Sequence, residues 1–432
     1  MTSPYRIAYS LFAQTVLLLM LYAAAALLGA VKFLGADPLA ESLPYQQVSA
    51  FGHVLLNLAI LTGLLGGGIT VITSLHTLHD WAYPRLLRYA FWVWTLLLVL
   101  AFFAGVLGLL AGRNMLELPP ALIIVQIGAL ALFVFNTLRT VKRWSAIPLV
   151  WMVGIVLSAV CGGIALIAAG DYLQDRVLRA LAVGLNANVA YVLAAVALGF
   201  WLMQRFSSVM HLWTESSLYT VAGLLALAGV LLSASALETL GVGDLVVTVG
   251  NIALVVVPLV YLIFAAHCYR AFATRTPNKA LAAHWFGLAL LLWLIGMGVL
   301  GAVGSAAGVR QWIAGTRLTD LQATLTLFAS VAVVLGVINQ AAGDLRGADQ
   351  HITGLMPFWL VAFGIVGGGL ALGGAGAVQV YLERILSLGY LETQTLLIPL
   401  YVGWVLGGLA LALGVLVYAL GFWKRRPIID AR

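Results

Sequence analysis

The chain has 432 residues, of which 63% are hydrophobic and only 9% charged. An ordinary soluble domain carries roughly 25% charged residues, and so few charges cannot screen this much apolar side chain from water. The numbers exclude soluble globular, disordered, collagen-like and disulfide-rich secreted chains and leave a polytopic membrane protein. The net charge of +7 is spread over short loops, so it reads as orientation in a bilayer rather than as nucleic-acid binding.

Apolar residues come in blocks of about 20, the length of helix that crosses a hydrocarbon core of about 30 Å. Twelve blocks follow in chain order, at about 7–31, 49–74, 88–112, 119–138, 147–170, 180–204, 216–236, 245–266, 284–306, 318–340, 354–379 and 395–422. They are too long and uniform for barrel strands, so the predicted fold class is all-α with twelve transmembrane helices. The first block has Arg6 before it and an apolar run longer than a signal-peptide core, which predicts a retained span. The longest connection, about 31–47, leaves no room for a soluble domain. Residues 1–432 therefore read as a single transmembrane domain.

With the N-terminus inside, the outer loops hold Lys32, Arg113, Arg176, Arg179, Arg310, Arg317 and Arg384, and the inner loops and tails hold the remaining fifteen of the 22 basic residues. This asymmetry predicts both termini cytoplasmic in the cell's inner membrane. Acids such as Asp37, Glu41, Asp171, Asp175, Asp320 and Glu383 fall outside. That rim is either simply solvated or suited to a basic redox partner such as a small cytochrome.

Glycine clusters inside the blocks, at Gly66–Gly68, at Gly301, Gly304 and Gly308, and repeatedly between Gly364 and Gly376. Small residues let helix backbones approach closely in lipid; the alternative use is room for a large flat cofactor or a lipid. Pro258 in the eighth block predicts a kink. Cys161 and Cys268 lack CxxC spacing and read as packing residues.

Polar groups inside spans are costly, so each is a candidate site. His53 lies near the outer end of the second block, Asn186 and Asn188 open the sixth, and Glu215 opens the seventh, four residues after His211. Gln322, Thr324 and Thr326 lie in the tenth block, with Asn339 and Gln340 at its end. His76 and His79 fall in an inner loop, and His267, His284 and His351 at inner span ends. Only His53 is placed where it could ligate a haem iron; the alternative is a packing histidine held by a hydrogen bond. The chain has no phosphate loop, CxxCH or HExxH motif, and no paired intramembrane acids.

Twelve spans with both ends inside, together with four local stretches, resemble haem–copper oxidase subunit I, and most closely its nitric oxide reductase and cbb-type branch. YQQVSAFGHVLLNLAILTGLLGGG (45–68) resembles the family's second span and puts His53 at the low-spin haem ligand. NANVAYVLAAVALGFWLMQR (186–205) resembles the sixth, but Ala187 stands where a copper-ligating histidine belongs. SVMHLWTESSLYTVAGLLAL (208–227) resembles the seventh through His211, Trp213, Tyr219, Ala222 and Gly223, yet Leu225 and Ala226 replace two copper histidines. IAGTRLTDLQATLTLFASVAVVLG (313–336) resembles the tenth, with Gln322 and Thr324 in place of the His-x-His that serves two haems.

The resemblance thus implies a degenerate member, without a copper site or the proximal ligand of a second haem. A single b-type haem on His53 remains open, with Gln322, Thr324 or Met297 of the ninth span for the opposite side; a quinone or lipid could occupy the same space. The expected role is a scaffold or electron-transfer subunit of an oxidoreductase complex in a respiratory chain, working with cytochrome c-type or iron–sulfur subunits rather than catalysing alone. The alternative is a twelve-helix secondary transporter or channel, which calls for polar residues converging in mid-membrane.

Overall fold

The computed structural model describes residues 4–34, 44–76, 81–110, 118–167, 172–209, 213–240, 243–276, 280–346 and 354–424. Among them are twelve helices long and apolar enough to cross a membrane. In order they are spans 1 to 6, Pro4–Lys32, Tyr45–Leu75, Pro84–Val106, Pro120–Thr140, Ala146–Ile167 and Arg176–Phe206. Spans 7 to 12 are Glu215–Glu238, Asp244–Ala273, Leu281–Ser305, Arg317–Ala341, Leu355–Ile385 and Ile398–Lys424. Each overlaps one of the twelve blocks read from the sequence. Twelve is even, so the first span begins and the last one ends on the same membrane face.

A helix is the form that satisfies backbone N–H and C=O groups without water. Its ends here are written in the sequence. Pro84 and Pro120 sit at the first turns of spans 3 and 4, where no amide donor is needed. Thr214 caps span 7 by accepting the Ser217 N–H at 3.3 Å. Among the described residues there is no strand. One isolated bridge, Ser207 with Arg275, ties the ends of spans 6 and 8. Pro258 lies within a continuous helix, Asp244–Ala273.

Three spans form the centre. The most apolar stretch of span 2 is 100% buried, that of span 10 is 83% buried and that of span 6 is 72% buried, against 28% to 56% for the other nine. Spans 2, 6 and 10 pack against one another, and the rest form a rim around them.

Tryptophans fasten span 2 in place. Trp94 of span 3 donates its indole N–H to Thr62 Oγ1 at 3.0 Å, Trp151 of span 5 donates to Leu64 O at 2.9 Å, and Trp201 of span 6 donates to Ser74 Oγ at 3.2 Å. Trp81, in the loop before span 3, donates to Thr73 Oγ1 at 3.1 Å. An indole fills core volume and still finds an acceptor, which lipid cannot provide.

Close approach explains two of the glycine clusters. A Cβ on Gly68 would run into the Trp151 indole, and one on Gly364 would lie 2.5 Å from the Leu411 backbone nitrogen. Spans 11 and 12 therefore touch backbone to backbone. Helical continuity is altered by π-helical turns at Asn186–Ala190 in span 6 and Leu294–Gly301 in span 9. Such turns often lie at functional sites.

Candidate functional site

Spans 1, 2, 10, 11 and 12, with Val183 of span 6, line a partly open cavity of about 560 Å³, within the usual range for ligand and cofactor sites. Small residues line part of it, beside larger ones such as Tyr22, Phe328, Leu372 and Trp404. Ala25, Ala26 and Gly29 come from span 1, Gly52 from span 2, Ala323 from span 10, Gly368 and Gly369 from span 11, and Gly408 from span 12. A Cβ at Gly29, Gly52, Gly368 or Gly408 would meet its nearest neighbour only at 3.7–3.9 Å. These glycines are not forced by contact. They leave room that side chains could otherwise fill.

His53 and Thr324 both line this cavity. His53 is half-buried, and its carbonyl accepts the Asn57 side-chain amide at 3.0 Å, one turn along span 2. The Thr324 hydroxyl donates to the Asp320 carbonyl at 2.7 Å, back along its own helix. It offers at most a neutral oxygen to the cavity, a poor ligand for iron.

Polar groups gather at one end. Arg317 Nη1 is paired with Asp320 Oδ2 at 2.9 Å, and its guanidinium lies 5.8 Å from the Tyr401 ring centroid. Tyr401 OH donates to Gln394 Oε1 at 2.7 Å. The Arg317 backbone N–H donates to Gln379 Oε1 at 3.2 Å, and Gln379 Nε2 donates to Glu383 Oε1 at 3.0 Å. Tyr45 completes the polar wall. The cavity thus carries the Arg317–Asp320 ion pair and Tyr45 at one end and mostly apolar side chains elsewhere, a lining that suits an amphipathic ligand. Sequence reading missed Arg317 and Tyr45 as cavity residues. The i, i+3 spacing of Arg317 and Asp320 at a span start was the available signal.

Gln322 belongs to a different surface. Two positions along an α-helix are about 200° apart, so Gln322 and Thr324 face opposite ways. The Gln322 amide nitrogen and Leu232 Cδ1 lie 3.1 and 3.2 Å from where a Cβ on Gly301 would stand, which puts Gln322 among spans 7, 9 and 10. Met297 is buried in the π-helical turn of span 9 and accepts the Tyr261 hydroxyl on its sulfur at 2.8 Å. Neither residue lines the cavity. Of the four residues singled out from sequence, the structure brings together His53 and Thr324.

Apolar packing surrounds the other positions that the resemblance singled out. Ala187 is buried in the π-helical turn of span 6, Leu225 is fully buried, and Ala226 is half-buried. Carbonyl oxygens of that turn press on neighbouring spans. A Cβ on Gly154 would lie 2.6 Å from Ala190 O, and one on Gly229 would collide with Asn188 O. Tyr219 is 38% exposed on the outside of span 7.

Other histidines make ring contacts. His267 stacks on Trp213 at 4.8 Å, and His284 meets Phe358 edge-on at 5.4 Å. His79, His211 and His351 lie outside the described residues, as does any pairing of His211 with Glu215. Cys161 and Cys268 are buried free thiols.

Fold and cavity together define an all-helical, multi-pass membrane protein consistent with the subunit I fold of haem–copper oxidases. No protein-family model matches the chain. The chain is similar to a nitric oxide reductase subunit of Stutzerimonas stutzeri, with 23% identity over 439 aligned residues that cover 93% of this chain and 91% of that protein. The similarity extends over nearly the whole length of both proteins, as a shared frame requires.

Proposed function

We propose that this chain is an electron-transfer subunit of a membrane oxidoreductase complex that holds one b-type haem through His53 and has no binuclear centre. The observation that carries the reading is the separation of the two positions at which the resemblance puts haem ligands. Thr324 opens with His53 into one cavity, while Gln322 is packed among Leu232, Gly301 and the turn of span 9. A bound haem supplies one-electron transfer. Of the cavity residues, His53 would supply an imidazole ligand, the small residues of spans 1, 11 and 12 would leave room for a flat body, and Arg317, paired with Asp320, would face its polar edge.

The same donor inventory does not fit copper. A copper site of this type needs imidazoles, and the three matching positions are Ala187, Leu225 and Ala226. No step of oxygen or nitric oxide reduction is assigned to this chain. On this reading it works within a complex, with cytochrome c-type or iron–sulfur subunits as electron partners, in the inner membrane. A transporter role is less well supported, because the polar groups of the cavity gather at its mouth rather than at mid-span.

Haem extraction and metal analysis of the purified protein test the proposal. One b-type haem and no copper per chain is the expected result. A cavity that yields quinone or lipid and no haem would reject the haem reading while keeping the cavity.

A further inference from the structure

A second cavity, of about 760 Å³, opens at the start of span 3 and has no part in the His53 site. Tyr83, Arg85, Arg88, Tyr89 and Phe135 line it. The rings of Tyr83 and Phe135 stack at 6.1 Å with planes 15° apart, and the Arg139 guanidinium lies 5.4 Å from the Phe135 centroid. Two cationic side chains and three aromatic rings therefore share one groove between spans 3 and 4, with Arg139 set against one of the rings.

The groove is built in advance of any ligand. Ala82 N–H donates to Thr140 Oγ1 at 3.1 Å, and Tyr83 N–H donates to Asn136 Oδ1 at 3.2 Å. Asn136 Nδ2 returns a bond to the Tyr83 carbonyl at 3.1 Å. Both Asn136 and Thr140 are buried on span 4. This clasp fixes the turn ahead of Pro84, where the amide-rich start of span 3 adds partial positive charge.

Arg85 and Arg88 lie one turn apart and both are exposed. Below them runs an apolar stripe along span 3: Tyr89, Trp92, Leu96 and Phe103 are 54–61% exposed. Guanidinium groups at an interface above a span-long apolar stripe match an amphiphile with an anionic head and acyl tails. The loop between spans 4 and 5 carries two further exposed cations, Lys142 and Arg143. The uneven division of basic residues assigns this end to the inner face, where basic pockets between helices hold anionic headgroups. A neutral lipid would use the stripe but gain nothing from the arginines.

We propose that the groove at the start of spans 3 and 4 is a binding site for an anionic phospholipid, with Arg85 and Arg88 on its phosphate and the span 3 stripe against its tails. The test uses the full-length protein, with any subunits that copurify, stripped of lipid in neutral detergent. It is then titrated with phosphatidylglycerol or phosphatidylcholine and read by native mass spectrometry. A photoreactive phosphatidylglycerol maps the contact.

Phosphatidylglycerol should be retained in preference and should crosslink to span 3. The double variant Arg85→Gln, Arg88→Gln should weaken its retention by about tenfold or more, since each basic residue near the surface contributes about 1 kcal/mol. Arg270→Gln with Arg275→Gln, a pair of basic residues outside the groove, should leave retention unchanged. Equal retention of both lipids, an equal loss in the control pair, or crosslinks confined to other spans would overturn the assignment.

Discussion

His53 of span 2 and Thr324 of span 10 open into the same cavity, although 271 positions separate them in the sequence. One offers an imidazole, and the other a hydroxyl already committed to the Asp320 carbonyl at 2.7 Å. On the proposed function, a haem iron bound here would find one strong protein ligand, His53. Thr324→His should supply the second. Carbon monoxide is expected to bind the reduced native protein and to be excluded from the variant, whose spectrum should become that of a bis-imidazole low-spin haem. A variant spectrum identical to that of the native protein would show that Thr324 does not face the iron.

Arg317 is the main cation of the cavity mouth, paired with Asp320 at 2.9 Å and set over the Tyr401 ring. Arg317→Gln removes the charge while keeping length and hydrogen-bonding capacity. A charge-assisted hydrogen bond contributes about 1.5–3 kcal/mol, so haem loss to an acceptor protein should quicken roughly tenfold or more. Thermal stability should fall far less, because the pair is partly exposed and screened. Unchanged haem release would remove Arg317 from the site.

Thr62 joins spans 2 and 3 by accepting the Trp94 indole N–H at 3.0 Å while donating to Leu58 O at 2.6 Å. Thr62→Val keeps the shape and strands a buried indole donor. The expected cost is about 1–3 kcal/mol, seen as a lower unfolding midpoint in detergent. Thr220→Val, at an exposed hydroxyl on span 7 that bonds only its own helix at 3.0 Å, should leave the midpoint in place.

Gly364 meets span 12 so closely that an added Cβ would lie 2.5 Å from Leu411 N and 2.8 Å from Gly407 O. Backbone is a hard obstacle, so Gly364→Val should separate spans 11 and 12 at a cost of about 1–3 kcal/mol or more. Gly367 has nothing within 4 Å of such a Cβ, and Gly367→Val should be tolerated. Comparing the two midpoints isolates the crossing from glycine content.

The number and approximate limits of the spans were legible because block length and hydropathy report directly on a bilayer. Which spans form the centre was not. Spans 2, 6 and 10 have mean hydropathies of 2.0, 1.9 and 2.1, and the lipid-facing span 8 reaches 2.5. In a membrane the apolar solvent lies outside, so hydropathy does not mark the core. Thr62 and Ser74 of span 2 accept indole N–H groups from spans 3 and 6, contacts that hydropathy does not register.

Two of the residues that line the cavity, His53 and Thr324, were legible. His53 stood out as an ionisable group within a span. The family pattern drew Gln322 and Thr324 together, although helical geometry separates them by about 200°. Met297 was drawn in by chemistry alone, and its sulfur is engaged by Tyr261 at 2.8 Å. The cavity walls were invisible because glycine and alanine read equally as packing and as space. Gly364 proved to be both, touching span 12 and lining the cavity.

The most direct measurement is the dithionite-reduced minus oxidised spectrum of the native protein and of His53→Ala, each with copper determined on the same sample. The account predicts one b-type haem per chain in the native protein, no such signal in a folded His53→Ala variant, and no copper in either. A haem signal unchanged by His53→Ala, a second haem, or copper at one per chain would contradict it.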